Sequence, residues 1–416
     1  MPLPFFNCAN KPAGDMAGLI FKRCKQTAMT ELKKKRFLIY LATFFFWFAQ
    51  YVYNPYMTPY LLGLNITASF AGVIVGMYGS TQLICRLPLG VMADHAQKHR
   101  FFIVSGLLLC AAASLLRVLT QNPWALLGAN AISGMASSTW ISFTILNSMY
   151  YEPHELSRSI GSINAFNNAG ILTAYILGGL LYEKYGMVMM FWLSLASGIL
   201  GAVAALMIKD EPPRNPALPV GKLLSVIKQK RLIVFSLLST LFQFIVFATA
   251  NSFSSTVIKN IGATAVELSA CSALFTLGGM LSSYFVGSKT AQKLGPVKLS
   301  MTGFGLLAIY CLVLPRLHTI WGMAILQFIG GCGGTSTFSI IMSDAIAEVP
   351  NEQRSTAMGF FQSVYSIGIM AGPSLMGTMI DRLTMTPAFA VVGIICIVTA
   401  AGYPLLRRFI NKPGKA

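Results

Sequence analysis

Charge is scarce in this chain. Asp, Glu, Lys and Arg make up 11% of its 416 residues, and 13 acids stand against 31 Lys and Arg. A soluble domain carries roughly a quarter of its residues as charges, so too little polar surface is available here to cover a water-soluble particle. No acid falls in the middle of any long apolar run, which argues against a carboxylate-centred proton relay. The eight cysteines contain no CxxC pair, which argues against a zinc site or a disulfide framework. Also missing are G-x-S-x-G, H-E-x-x-H and G-x-x-x-x-G-K-[ST], so neither an enzyme nor a nucleotide-driven pump is indicated. His95 and His99 fall at i, i+4 without a third ligand, and no metal site is expected. Residues 1–28 lack the compact apolar core and cleavage site of a secretory signal. "MTELKKKRF" from Met29 reads as an ordinary start, and the residues before it as a disordered or start-site extension.

What the chain does have is apolar length. Hydrophobic residues are 55% of the total, and the mean hydropathy is +0.64. A bilayer-spanning helix needs about 20 apolar residues, and twelve runs qualify, near 37–59, 70–91, 101–120, 124–147, 160–182, 187–208, 232–254, 268–287, 299–315, 320–343, 357–380 and 387–406. Lipid leaves backbone groups nothing to bond outside the chain, so the runs must be helices or barrel strands. Their length without strict alternation selects helices. With the N-terminus inside, the outward loops hold only Arg117, Lys184, Lys259, Arg316 and Arg382, Arg86 lies within a span, and all other cations face the cytoplasm. The net charge of +18 is then a membrane-topology signal, directed at an anionic leaflet and not at nucleic acid. The expectation is an all-α integral protein of the plasma (inner) membrane, with both termini cytoplasmic and the lipid bilayer as a partner.

The chain also repeats itself. "GSINAFNNAGILTAYILGG" from Gly161 aligns with "GFFQSVYSIGIMAGPSLMG" from Gly359 at an offset of 198 residues, matching three glycines and pairing Asn164 with Gln362. Each segment follows a proline-containing acidic loop with one arginine, "YEPHELSR" and "EVPNEQR". The fifth and eleventh runs are therefore equivalent members of two six-helix halves. The expected divisions are a tail at 1–36, halves at 37–208 and 232–408, a Pro- and cation-rich linker at 209–231, and a tail at 409–416.

After the second run comes "RLPLGVMADHAQKHR", Arg86 to Arg100. Together with the six-plus-six pattern it resembles the major facilitator superfamily, whose loop at this place reads roughly G-x-L-x-D-R-x-G-R-R. Gly90, Asp94 and Lys98 stand in matching positions, with Arg100 just beyond. The second-half counterpart, "GSKTAQKLG" from Gly287, has no aspartate. Where many relatives carry an arginine four residues before a glycine of the fourth span, this chain has Asn130 before Gly134. The resemblance implies alternating access in a monomer, with no cofactor and with a coupling ion, H+ or Na+, left open. Asp94 is expected to rest against a helix N-terminus or nearby cations, chiefly Arg158, as a cytoplasmic latch. Arg86, Asp344 and Arg354 complete the expected gate.

Neutral polar residues fall in stripes along the runs. Gln50, Tyr53 and Asn54 share a face of the first; Asn130, Ser133, Ser137, Trp140 and Thr144 follow one face of the fourth. Asn164, Asn167 and Asn168 do so on the fifth, with Gln362, Tyr365 and Ser366 on the eleventh. Gln243, Asn251 and Gln327 add amides from the seventh and tenth. Amides turned to lipid would forfeit several kcal/mol each. They are expected to face a shared wet cavity, helix–helix hydrogen bonding being the alternative. With no buried Lys or Arg expected at its centre, such a cavity suits a neutral, zwitterionic or amphipathic organic solute. The classes left open are solute uptake, multidrug or metabolite efflux by antiport, and a non-transporting receptor or scaffold.

Overall fold

The computed structural model describes residues 15–96, 98–152, 155–210, 221, 225–350 and 353–411. Helices fill these residues, and no strand occurs among them. The first crossing is two helices, α1 (Asp15–Tyr51) and α2 (Asn54–Gly63). Pro55 lacks the N–H that would continue the ladder, so the helix restarts instead of running through. Then follow α3 (Ala68–Ala96) and α4 (His99–Leu119). The fourth crossing is again split, into α5 (Pro123–Ser138) and α6 (Trp140–Met149).

The fifth and sixth runs join in α7 (Leu156–Leu206), which breaks at Gly186 with φ 69 and ψ −169. That backbone strongly disfavours side chains bearing Cβ. Both arms of α7 pack on α1. Gly170 and Gly178 lie against the Phe44 and Val52 carbonyls, while Ser197 and Ser194 donate to the Phe45 and Ala49 carbonyls at 2.8 and 2.6 Å. One arm therefore runs along α1 and the other against it, so the break at Gly186 is a hairpin.

The second half repeats the plan. Its elements are α8 (Lys230–Ala248), a π-helical turn (Thr249–Phe253), α9 (Ser254–Asn260), α10 (Ala265–Val286), α11 (Lys289–Val313), α12 (Ile320–Ile346), α13 (Arg354–Leu383) and α14 (Met385–Asn411). Nine helices among the described residues are long and apolar enough to cross a membrane. The longest folds back at Gly186 into two arms, and the split helices α1–α2 and α5–α6 stand outside these nine. We call the end that carries residues 206–210 and 225–230 the near end, and the end with the 63–68 and 260–265 connections the far end.

The halves meet along two seams. On one, Gly72 and Gly76 of α3 lie against the Pro373 and Met370 carbonyls of α13. On the other, Gly179 of α7 lies against Ser269 and Val266 of α10. Lacking side chains, these glycines let backbones approach where lipid offers no hydrophobic drive.

Candidate functional site

Between the halves lies a cavity of about 60 Å³. Gln50, Tyr53 and Asn54 reach it from the split first crossing, Tyr78 from α3, Asn130 from α5, and Phe247 and Asn251 from the seventh crossing. The split at residues 52–53 and the π turn at 249–253 are interruptions at equivalent places in the two halves. Each turns an asparagine inward, Asn54 and Asn251. π turns add a residue to the helical ladder and recur at functional sites.

Of the candidates, the structure brings Gln50, Tyr53, Asn54, Asn130 and Asn251 together around this cavity, but not the others. Trp140 stacks edge-on against Trp47 at 5.1 Å, in an aromatic cluster of the first half that includes Phe143. Its place at the split between α5 and α6 shifts the stripe, so continuous helical spacing misassigns it. Gln327 is buried and accepts from the Tyr310 hydroxyl at 3.4 Å, a bond within the second half. Gln243 is buried on α8 away from the lining. Asn164 is exposed, whereas Asn167 and Gln362 are partly buried, each with a buried amide oxygen lacking a partner.

Two arginines occupy the polar layer instead. Arg117 is 1% exposed and Arg86 5%, so the expectation of no buried cation near the centre is corrected. Helical side chains point back toward their helix N-terminus. Arg117 sits at the far end of α4, so its guanidinium reaches inward, a direction that its position in the sequence conceals. Its Nη2 donates to Asn130 Oδ1 at 2.7 Å and Ser133 Oγ at 2.8 Å, and its guanidinium carbon lies 4.4 Å from the Tyr53 ring centroid. Asn130 is turned this way because its Nδ2 donates to the Ile74 carbonyl at 2.7 Å. Arg86 Nη1 donates across the halves to the Tyr365 hydroxyl at 2.6 Å. Its Nη2 lies 3.5 Å from Ser137 Oγ, which also accepts from Tyr78 at 2.7 Å and Gln82 at 2.9 Å. Tyr78, Gln82 and Arg86 fall at i, i+4 and i+8 on α3, a stripe overlooked in the sequence reading.

The gate residues divide. The side chain of Asp94 lies outside the described residues. Arg158 is exposed and pairs with Glu155 at 3.0 Å, which also lies 3.9 Å from Arg36. Arg100 ties the start of α4 to the end of α7, its amide donating to Asp210 at 2.7 Å and its Nη2 to the Leu206 carbonyl at 2.5 Å. Asp344 does not bridge the halves: it accepts from Arg231 at 3.1 Å and Arg407 at 3.0 Å, joining α12 to α8 and α14. Lys98 and Arg354 are exposed, and Gly90 is open, with Ile141 3.7 Å from where a Cβ would stand.

The far end is held by carboxylates that the sequence reading passed over. Asp381 of α13 accepts from the amides of Ala68 at 3.1 Å and Ser69 at 2.8 Å, and from the Ser69 hydroxyl, at the start of α3. Glu183 of α7 accepts from the Ala265 amide at 3.2 Å, at the start of α10. Beside it the Tyr56 and Ser269 hydroxyls share a hydrogen bond. Residues 183 and 381 are separated by 198, the internal repeat itself. They end matching stripes, Asn164, Asn168, Tyr175 and Gly179 on α7 against Gln362, Ser366, Pro373 and Gly377 on α13. The α13 stripe is covered down to Ser366, which donates to Gln82 at 3.3 Å, but at the near end of the α7 stripe Asn164 is exposed.

The family model of the Major Facilitator Superfamily matches residues 39–258 and 235–416. An uncharacterized MFS-type transporter of Methanocaldococcus jannaschii is 23% identical over 391 residues, covering 89% of this chain and 97% of the relative. The quinolone resistance protein NorA of Staphylococcus aureus is 21% identical over 373 residues, covering 87% and 94%. Among solved structures, the nucleoside transporter NupG superposes with a TM-score of 0.74 at 13% identity, covering 90% of this chain and 99% of that one. A bacterial homolog of the human lysosomal transporter Spinster, inward-facing and unoccupied, gives 0.70 at 15%, covering 92% and 99%.

Proposed function

The chain belongs to the major facilitator superfamily and is a transmembrane transporter, and from that premise we propose that it carries a small organic solute by alternating access through the cavity around Gln50, Asn130 and Asn251. The near end is the cytoplasmic one in this reading, with both termini inside the plasma membrane, and the working unit is a monomer built from halves at 37–208 and 232–408. The observation that carries it is the far-end closure. Glu183 and Asp381 each bind the first turn of a helix in the opposite half, contacts that are made or broken as a unit when one half rocks against the other. The exposed Asn164 at the near end of the same stripe fits a path open to the cytoplasm. The similarity in fold to an inward-facing neighbour supports that assignment.

Counterflow in proteoliposomes with a radiolabelled panel of neutral, zwitterionic and anionic solutes tests the reading. Protein-dependent exchange of a panel member is expected; absence of exchange across the panel favours a receptor or scaffold. The similarity to NorA favours export as a second reading of direction. Protection of an efflux-deficient host from toxic amphipathic compounds supports export, and sensitisation supports uptake.

A further inference from the structure

We propose that the cavity recognises its solute by a carboxylate, held in the positive field of Arg117 and Arg86; this deepens the transport reading above and rests on it. The two guanidiniums flank the cavity at different depths. Arg117 touches two residues of the lining, Tyr53 and Asn130. Arg86 shares Ser137 with a third, Tyr78. Both are more than nine-tenths buried, and each has a buried Nε with no hydrogen-bond partner. The described ion pairs lie elsewhere, at Glu155, Asp344 and Glu348, and include neither arginine. No acid lines the cavity.

Buried charges are ordinarily paired, because an unpaired ion forfeits its hydration without recovering it from a counter-charge. Amide and hydroxyl oxygens and the Tyr53 ring solvate Arg117 in part but do not neutralise it. The cavity is thus a place where two positive charges meet neutral walls, and an anion entering it supplies what the protein withholds. Neither guanidinium is itself among the lining side chains, so what reaches the solute is their field across Tyr53, Asn130 and Tyr78. Of the remaining lining, Thr58 is polar and Tyr51, Met57, Val75 and Phe247 are aromatic or apolar. It fits a solute with an uncharged, largely apolar body behind the carboxylate, and so an organic acid.

The test uses the full-length protein purified in detergent and in proteoliposomes. Lactate, benzoate, octanoate and N-acetylphenylalanine are each compared with their primary amides, by thermal shift and by counterflow. Ligand binding raises the melting temperature by mass action, so the wild-type comparison needs no variant. Stabilisation and exchange by at least one acid, with its amide at least tenfold weaker, supports the proposal. Arg117→Gln should weaken that acid at least tenfold, and Arg117→Lys should restore part of the loss. Amides that bind as tightly as their acids overturn the carboxylate assignment while leaving the transport reading intact. A panel in which neither acids nor amides bind or exchange overturns both.

Discussion

Glu183 and Asp381, related by the 198-residue repeat, each accept a hydrogen bond from the opening turn of a helix that belongs to the other half. A helix N-terminus carries partial positive charge and unpaired amides, so a carboxylate there contributes about 0.3–1 kcal/mol. The sum of two such contacts biases closure about 3- to 30-fold. Asp381→Asn and Glu183→Gln should each raise the rate at which an impermeant thiol reagent reaches a cysteine placed at Thr58 from the far side. The double variant should do so more than either alone. Unchanged labelling in the double variant contradicts the closure role.

Gly377 sits where an added Cβ would strike the Ala68 backbone. Overpacking of this kind costs about 1–3 kcal/mol. Because the strain exists only while the seam is closed, Gly377→Val should favour far-side opening, again read by labelling at Thr58→Cys. A fall in melting temperature with no change in far-side access would assign the glycine to folding alone.

Asn130 tests the electrostatics without touching a cation. Asn130→Asp places a carboxylate 2.7 Å from Arg117 and cancels the field that the cavity offers an anion. The ion pair gained with Arg117 offsets part of the loss of the Nδ2 bond to the Ile74 carbonyl, so the melting temperature should fall no further than in Asn130→Ala, while binding of any acid identified by thermal shift falls at least tenfold. Asn130→Ala instead leaves Arg117 and the Ile74 carbonyl short of a partner, at about 1–3 kcal/mol, and should lower the melting temperature. Acid binding that survives Asn130→Asp unchanged contradicts the assignment.

Asp344 accepts from two guanidiniums, with its own side chain 12% exposed and each arginine 17%. Removing one partner of a buried ionic cluster costs about 3–5 kcal/mol, because the remaining charges stay buried. Asp344→Ala should lower the melting temperature more than any other substitution named here. A neutral outcome would show that water already shares those charges.

The all-helical membrane fold was legible because lipid imposes one requirement, a run of apolar residues long enough to satisfy its own backbone. The repeat was legible because Gly161, Gly170 and Gly179 recur in register at Gly359, Gly368 and Gly377. The cavity was legible in part. Gln50, Tyr53, Asn54, Asn130 and Asn251 were found from polarity in an apolar setting, but Trp140 was misplaced by a helix break at Thr139 that carries no proline or glycine of its own. Arg117 was misread because sequence locates a Cα, whereas a long side chain delivers its charge well inside the bundle. Glu183 and Asp381 were overlooked because an acid at a helix end is ordinary until its partner helix is known.

A cross-link tests the central claim most directly. The Cβ of a residue at 179 would lie 3.1 Å from the Ser269 Cβ, close to the disulfide range of about 3.5–4.5 Å. Gly179→Cys with Ser269→Cys should therefore lock the far end when oxidised. With a third cysteine at Asn54 in the cavity, an impermeant maleimide added to oriented vesicles should label from the cytoplasmic side alone while the bridge is intact, and from both sides once it is reduced. Far-side labelling of the oxidised protein at the reduced rate would contradict alternating access through this cavity.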